Sequence, residues 1–112
     1  MINKNEKTVL WAAIEDYCGL WELPWEIRSI HPSMTVAESQ PKALEALLSL
    51  LGKGYVELLY CEEPYGSLTA LDSEDYLHIL QKPYYWEVPM PGTQAIRVSA
   101  TKEGEALLME NP

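Results

Sequence analysis

Two histidines, two cysteines and three adjacent acidic pairs are the groups in this 112-residue chain with chemistry to offer. His31 and His78 stand far apart and outside any HxxxH or HExxH spacing, and Cys18 and Cys61 form no CxxC, so nothing in their spacing marks a metal site. Glu15-Asp16, Glu62-Glu63 and Glu74-Asp75 are direct neighbours, which on a helix or strand point different ways and read as solvated surface rather than a proton-sharing dyad. Gly52-Lys53-Gly54 hints at a phosphate loop, but a leucine-rich helix precedes it and no helix start follows, so a helix cap explains it better. No GxGxxG, GxxxxGK[ST] or GxSxG motif is present. The expectation is a protein that is not an enzyme and needs no cofactor or metal.

Charge narrows the partners. Seventeen acidic against eight basic residues give a net charge of −9, which repels phosphate backbones and anionic lipid and favours a basic protein. Apolar runs fall far short of the roughly 20 residues of a membrane helix, and the opening MINKNEKT lacks an apolar signal segment. With Cys18 and Cys61 read as reduced thiols, a soluble cytoplasmic protein is expected, with no membrane contact. The aromatics are four tryptophans and seven tyrosines with no phenylalanine, rings that join a large apolar area to a polar tip and so suit interfaces or a core rim. Trp11, Trp21, Trp25, Tyr65 and Trp86 are the candidate protein contacts, with a homodimer as one form of such contact.

The elements that must position these residues centre on Pro41 to Tyr60, a leucine-rich helix running through glycines into a strand. Leu44, Leu47, Leu48 and Leu51 repeat at i, i+3, i+4 and i+7 and predict the core face, with Ala43, Ala46 and Leu50 as a second apolar row and Lys42, Glu45 and Ser49 as the polar stripe. Before it, Thr35-Val-Ala-Glu38 is a capping box that starts a short helix, which Pro41 ends or redirects. A first helix is predicted over Glu6 to Leu20, capped by Asn5 or Asn3, with Leu10, Ile14, Tyr17 and Trp21 on its inner face. Leu20 to Pro32 reads as a connection with a short strand at Glu26 to Ile30, where Trp21 and Trp25 seal one end of the core. Past the Tyr55 to Tyr60 strand and a turn, a helix starts at Asp72 or Ser73 and ends before Lys82-Pro83. Tyr84 to Val88 and Ala95 to Val98 form an expected hairpin, and Thr101 caps a last helix.

Two helices meeting at a tight turn, Gly54-Tyr55-Val56-Glu57-Leu58, a hairpin and then Thr101, Gly104, Leu107 and Leu108 together resemble the winged-helix domains of bacterial transcriptional regulators. The likeness covers roughly residues 33–61 and 95–109, and residues 62–83 form an insertion where that family has a short wing. It implies one α+β domain over residues 1–112, winged-helix-like, with helices packed on a small antiparallel β-sheet. It also implies a DNA-reading helix, for which Lys42, Lys53, Arg97 and Lys102 are the candidate contacts. Charge argues against that role. The helix offers few groups to bases, and the insertion adds Glu62, Glu63, Asp72, Glu74 and Asp75 against Lys82 alone. The expectation is an acidic interaction module of adaptor, inhibitor or immunity type, with a DNA-binding regulator as the alternative.

Overall fold

The first helix begins on a reciprocal cap: the Glu6 N–H donates to Asn3 Oδ1 at 2.8 Å and the Asn3 N–H donates to Glu6 Oε1 at 3.1 Å. From there the computed structural model describes residues 2–15, 18–63 and 66–110. Helix α1, Lys4–Glu15, is shorter than the sequence predicts, because the chain turns into a two-residue strand β1, Cys18–Gly19, and a 3₁₀ turn, Leu20–Glu22. Gly19, the second residue of β1, is extended at φ −69° and ψ 142°, and a side chain there would run into the Trp21 indole. Tyr17, expected on the inner face of α1, lies outside the described residues, as do Asp16 and Tyr65.

The stretch predicted as a connection with a short strand is instead helix α2, Leu23–Ile30. Pro24 occupies its first turn, where no N–H is required, and Leu23 and Ile27 bury one turn apart. After a turn, helix α3 spans Val36–Gly52 as one continuous element on the Thr35/Glu38 capping box. Pro41 neither ends nor redirects it. The bond Pro41 cannot make would go to the carbonyl of Ala37, and both residues are exposed, so water can satisfy that oxygen. The helix pair is therefore α2 with α3, not residues 35–40 with 41–51.

The buried line of α3 is Ser39, Ala43, Ala46, Leu47 and Leu50. That is the row expected to come second, sharing only Leu47 with the leucine face; Leu44 and Leu51 are half-buried and Leu48 is 37 % exposed. Helix α3 packs against both α1 and α2, and small side chains let helix axes approach closely. Alanines therefore sit where leucine periodicity would have placed leucines.

Strand β2, Val56–Glu62, pairs along its whole length with the antiparallel strand β4, Gln94–Ala100, from Val56↔Ala100 to Glu62↔Gln94. β1 joins the free side of β4, and β3, Leu68–Ala70, joins that of β2, giving the order β1-β4-β2-β3. Helices cover the face that carries Val56, Leu58, Ile96 and Val98, so the fold is α+β with helices on a small antiparallel sheet. The expected strand Tyr84 to Val88 does not form: Pro83–Trp86 is a 3₁₀ turn, and β4 has β2 and β1 as partners instead. Seven matched residues on β2 outweigh the local β-propensity of two tyrosines and a tryptophan.

Between β2 and β4 the chain makes β3, a 3₁₀ turn at Ser73–Asp75, the short helix α4, Tyr76–Leu80, and the Pro83–Trp86 turn. Ile79, Leu80 and Trp86 join the main core, so the insertion is packed onto the helices and sheet rather than projecting from them. Helix α5, Lys102–Glu110, is anchored by Thr101, whose N–H donates to the Tyr55 carbonyl and whose Oγ1 donates to the Gly54 carbonyl at 2.7 Å. Gly104 lies so close to the Tyr55 carbonyl that any side chain would collide with backbone.

Two outcomes test this packing. Leu47→Asp should cost more than about 4 kcal/mol, by burying an unpaired charge, whereas Leu48→Asp should cost less than about 1 kcal/mol. Equal urea-denaturation midpoints for the two variants would show that the buried row is misassigned. Gly104→Ala should cost about 2 kcal/mol or more, since the clash is with main chain, and an unchanged midpoint would contradict the close joint between α5 and Tyr55.

Candidate interaction surface

The outward face of α3 shows Glu38, Pro41, Lys42, Glu45 and Leu48 to solvent. Lys42 Nζ lies 3.8 Å from Glu45 Oε2 one turn along, which offsets its charge locally. Lys53 Nζ lies 3.3 Å from Glu6 Oε2, a carboxylate that also accepts from Ser49 Oγ at 2.7 Å. Arg97 grips Glu63 with two bonds, Nε to Oε2 at 3.1 Å and Nη2 to Oε1 at 2.6 Å, while its guanidinium lies 5.2 Å from the centre of the Trp21 ring. Lys102 is exposed in the first turn of α5.

These four cations do not form a stripe. The Thr101 bonds to Gly54 and Tyr55 bring Lys53 and Lys102 to one end of the molecule. Lys42 lies roughly 16 Å back along α3 at 1.5 Å per residue. Arg97 alternates with the core-facing Ile96 and Val98, which puts it on the opposite face of the sheet.

The aromatic candidates divide by burial. Trp21, 8 % exposed, is sandwiched between Gly19 and Arg97, and Trp86, 9 % exposed, donates from Nε1 to the Leu80 carbonyl at 2.9 Å. Both rings are packed into the fold, with little area left to solvent. Trp25, expected to seal the core beside Trp21, is instead 49 % exposed on α2, and Trp11 is 41 % exposed on α1. A 2.8 Å hydrogen bond between His31 Nε2 and Asn5 Oδ1 ties the end of α2 to the start of α1. Among the described residues, no group of three or more His, Cys, Asp or Glu side chains is placed to hold a metal ion.

A concave site absent from the sequence reading lies just after the insertion, in the segment that leads into β4. Tyr84, Tyr85, Val88, Pro89 and Met90 line a cleft of about 170 Å³ against the start of β4. Tyr84 and Tyr85 meet edge to face at 5.0 Å, and Tyr85 also stands 6.4 Å from Tyr60 on β2. Val88 and Met90 are 63 % and 73 % exposed. Pro-bracketed apolar residues in Val88-Pro89-Met90-Pro91 were the available signal: a turn that exposes apolar side chains and cannot donate from its proline nitrogens.

Buried charges set the electrostatics. Arg97 holds the Glu63 carboxyl below the usual carboxylate range, against the effect of burial. Burial alone would raise the Glu6 carboxyl, but hydrogen bonds from Ser49 and the Asn3 N–H, with Lys53 alongside, take it below its usual value. Both thiols are shifted upward, Cys61 by burial and by Glu63, Cys18 by burial and by the carboxylates of Glu22 and Glu26. They are poor nucleophiles, and both are free.

Because the folded Glu63 titrates below its unfolded value of about 4.3, its ion pair contributes stability above that pH and loses it as pH falls through the folded value. Glu63→Gln should therefore cost about 2 kcal/mol near neutrality, with the difference from the parent largest above about pH 4.3 and shrinking through the acid window below it. Urea midpoints measured at both ends of that window check it; a difference that stays constant would remove the pair from the stability of the fold. No protein-family model matches the chain, and comparison with curated proteins and with solved structures gives no match either.

Proposed function

We propose that this chain is a winged-helix-like interaction module that binds a basic protein partner in the cytoplasm and has no catalytic role of its own. The winged-helix reading draws support from α2 and α3 joined by a short turn, from the passage of α3 through Gly54 into the β2–β4 pair, and from the Thr101-capped α5 that follows. Among the described residues no helix is long and apolar enough to cross a membrane.

The observation that carries the proposal is the outer face of α3. In a DNA-reading member of that fold this face would present donors to base edges. Here it presents Glu38, Pro41, Glu45 and Leu48, with its one lysine beside Glu45. Sequence-independent affinity for DNA comes chiefly from phosphate contacts, and at a net charge of −9 that contribution is small. Adaptor, inhibitor and immunity-type roles share this chemistry, an acidic surface meeting a basic one.

The regulator alternative rests on the end where the Thr101–Gly54 bond brings the neighbouring Lys53 and Lys102 onto one side of the molecule. A fluorescence-anisotropy titration against mixed-sequence duplex DNA, at roughly 20 mM and then 200 mM salt, separates the two readings. No binding at either salt is expected. Binding at low salt that collapses at high salt would overturn the module reading in favour of the regulator.

A further inference from the structure

The apolar cleft that leads into β4 is bordered by carboxylates. Glu87 lines it, and Glu62 is the register partner of Gln94, another of its lining residues. By strand alternation Glu62 shares a face of the sheet with Tyr60, whose ring stands beside Tyr85. Asp75 lies within electrostatic range of Tyr60. Glu63 is occupied by Arg97, so Glu62, Asp75 and Glu87 are the exposed acids here, and Lys82 is the one cation in the sequence between β2 and β4.

Size and backbone chemistry narrow the occupant. About 170 Å³ is close to the roughly 150 Å³ of an engineered apolar cavity that holds benzene, so the cleft suits one aliphatic or aromatic side chain. The wall does not offer a strand ladder: Pro89 and Pro91 have no N–H, and the amides of Gly92 and Thr93 are already bonded, to Glu63 and Met90. Recognition would run through side chains. A second copy of this chain brings the same −9 charge and nucleic acid brings phosphates, so both meet repulsion at this rim.

We propose that this cleft docks a lysine- or arginine-rich segment of a partner protein, one apolar side chain seated among Tyr84, Tyr85, Val88 and Met90 while flanking cations meet Glu62, Asp75 and Glu87. This rests on the interaction-module reading and names where the partner binds. The test is an NMR titration of the ¹⁵N-labelled protein with a lysine- and serine-containing decapeptide bearing one central leucine, and with the same peptide carrying serine in place of leucine.

Shifts confined to residues 84–95 and to the rim around Glu62 and Asp75 are expected, with the leucine peptide binding about tenfold more tightly than the serine peptide. The paired substitution Val88→Ser and Met90→Ser should abolish that preference, and the exposure of both side chains keeps the fold intact, which the spectrum itself reports. Glu87→Gln should weaken binding about two- to threefold and flatten its salt dependence. Equal binding of the two peptides, shifts centred on Trp11 and Trp25, or no shifts at all would each overturn the cleft assignment. Those failures with no DNA binding leave the module reading standing, whereas salt-sensitive DNA binding removes the module reading itself.

Discussion

Helix α3 has to pack against two helices at once, and that requirement governs much of the rest of the fold. Close approach on two sides needs small side chains, which is why Ser39, Ala43 and Ala46 lie on its buried line beside Leu47 and Leu50. With those positions taken inward, Lys42, Glu45 and Leu48 are left facing out. The character of the outer surface is thus a by-product of how the inner one is packed.

Glu6 shows how the arrangement is held in register. This carboxylate is 5 % exposed, and a buried charge without partners would be costly. Instead it caps α1 through the Asn3 N–H, accepts from Ser49 on α3 and pairs with Lys53 at the end of α3. One side chain ends one helix and fastens another. On the far face of the sheet Glu63, Arg97 and Trp21 do similar work, joining the insertion, β4 and the turn before α2. Lys53 and Arg97, two of the four cations that the winged-helix resemblance offers as DNA contacts, are in this way committed to holding elements together.

What could be read from the sequence followed the range of the forces involved. The Thr35/Glu38 cap, the strand after Gly54, the start of the insertion helix near Ser73 and the Thr101 cap are local, and each lies where its residues place it. The rest is decided by partners distant in the chain. Pro41 reads as a helix end, yet it rides on the solvent-facing side of α3, because the buried line of that helix runs through Ser39, Ala43 and Ala46. Tyr84 to Trp86 had the composition of a strand, but β4 was already matched to β2. Burial of Trp21 depends on Gly19 and Arg97, and the cleft depends on Tyr85 reaching Tyr60, contacts that no spacing encodes.

The insertion also alters the order in which this chain can assemble. β2 and β4 would pair across a tight turn in a simple hairpin, but here roughly thirty residues separate Glu62 from Gln94. Closing such a loop costs about 2 kcal/mol more chain entropy than closing a four-residue turn. That cost falls on the sheet alone, because α1, α2 and α3 follow one another with short connections. The helical half can form while the sheet is still open, and β4 then arrives with Ile96 and Val98 to cover a surface already in place.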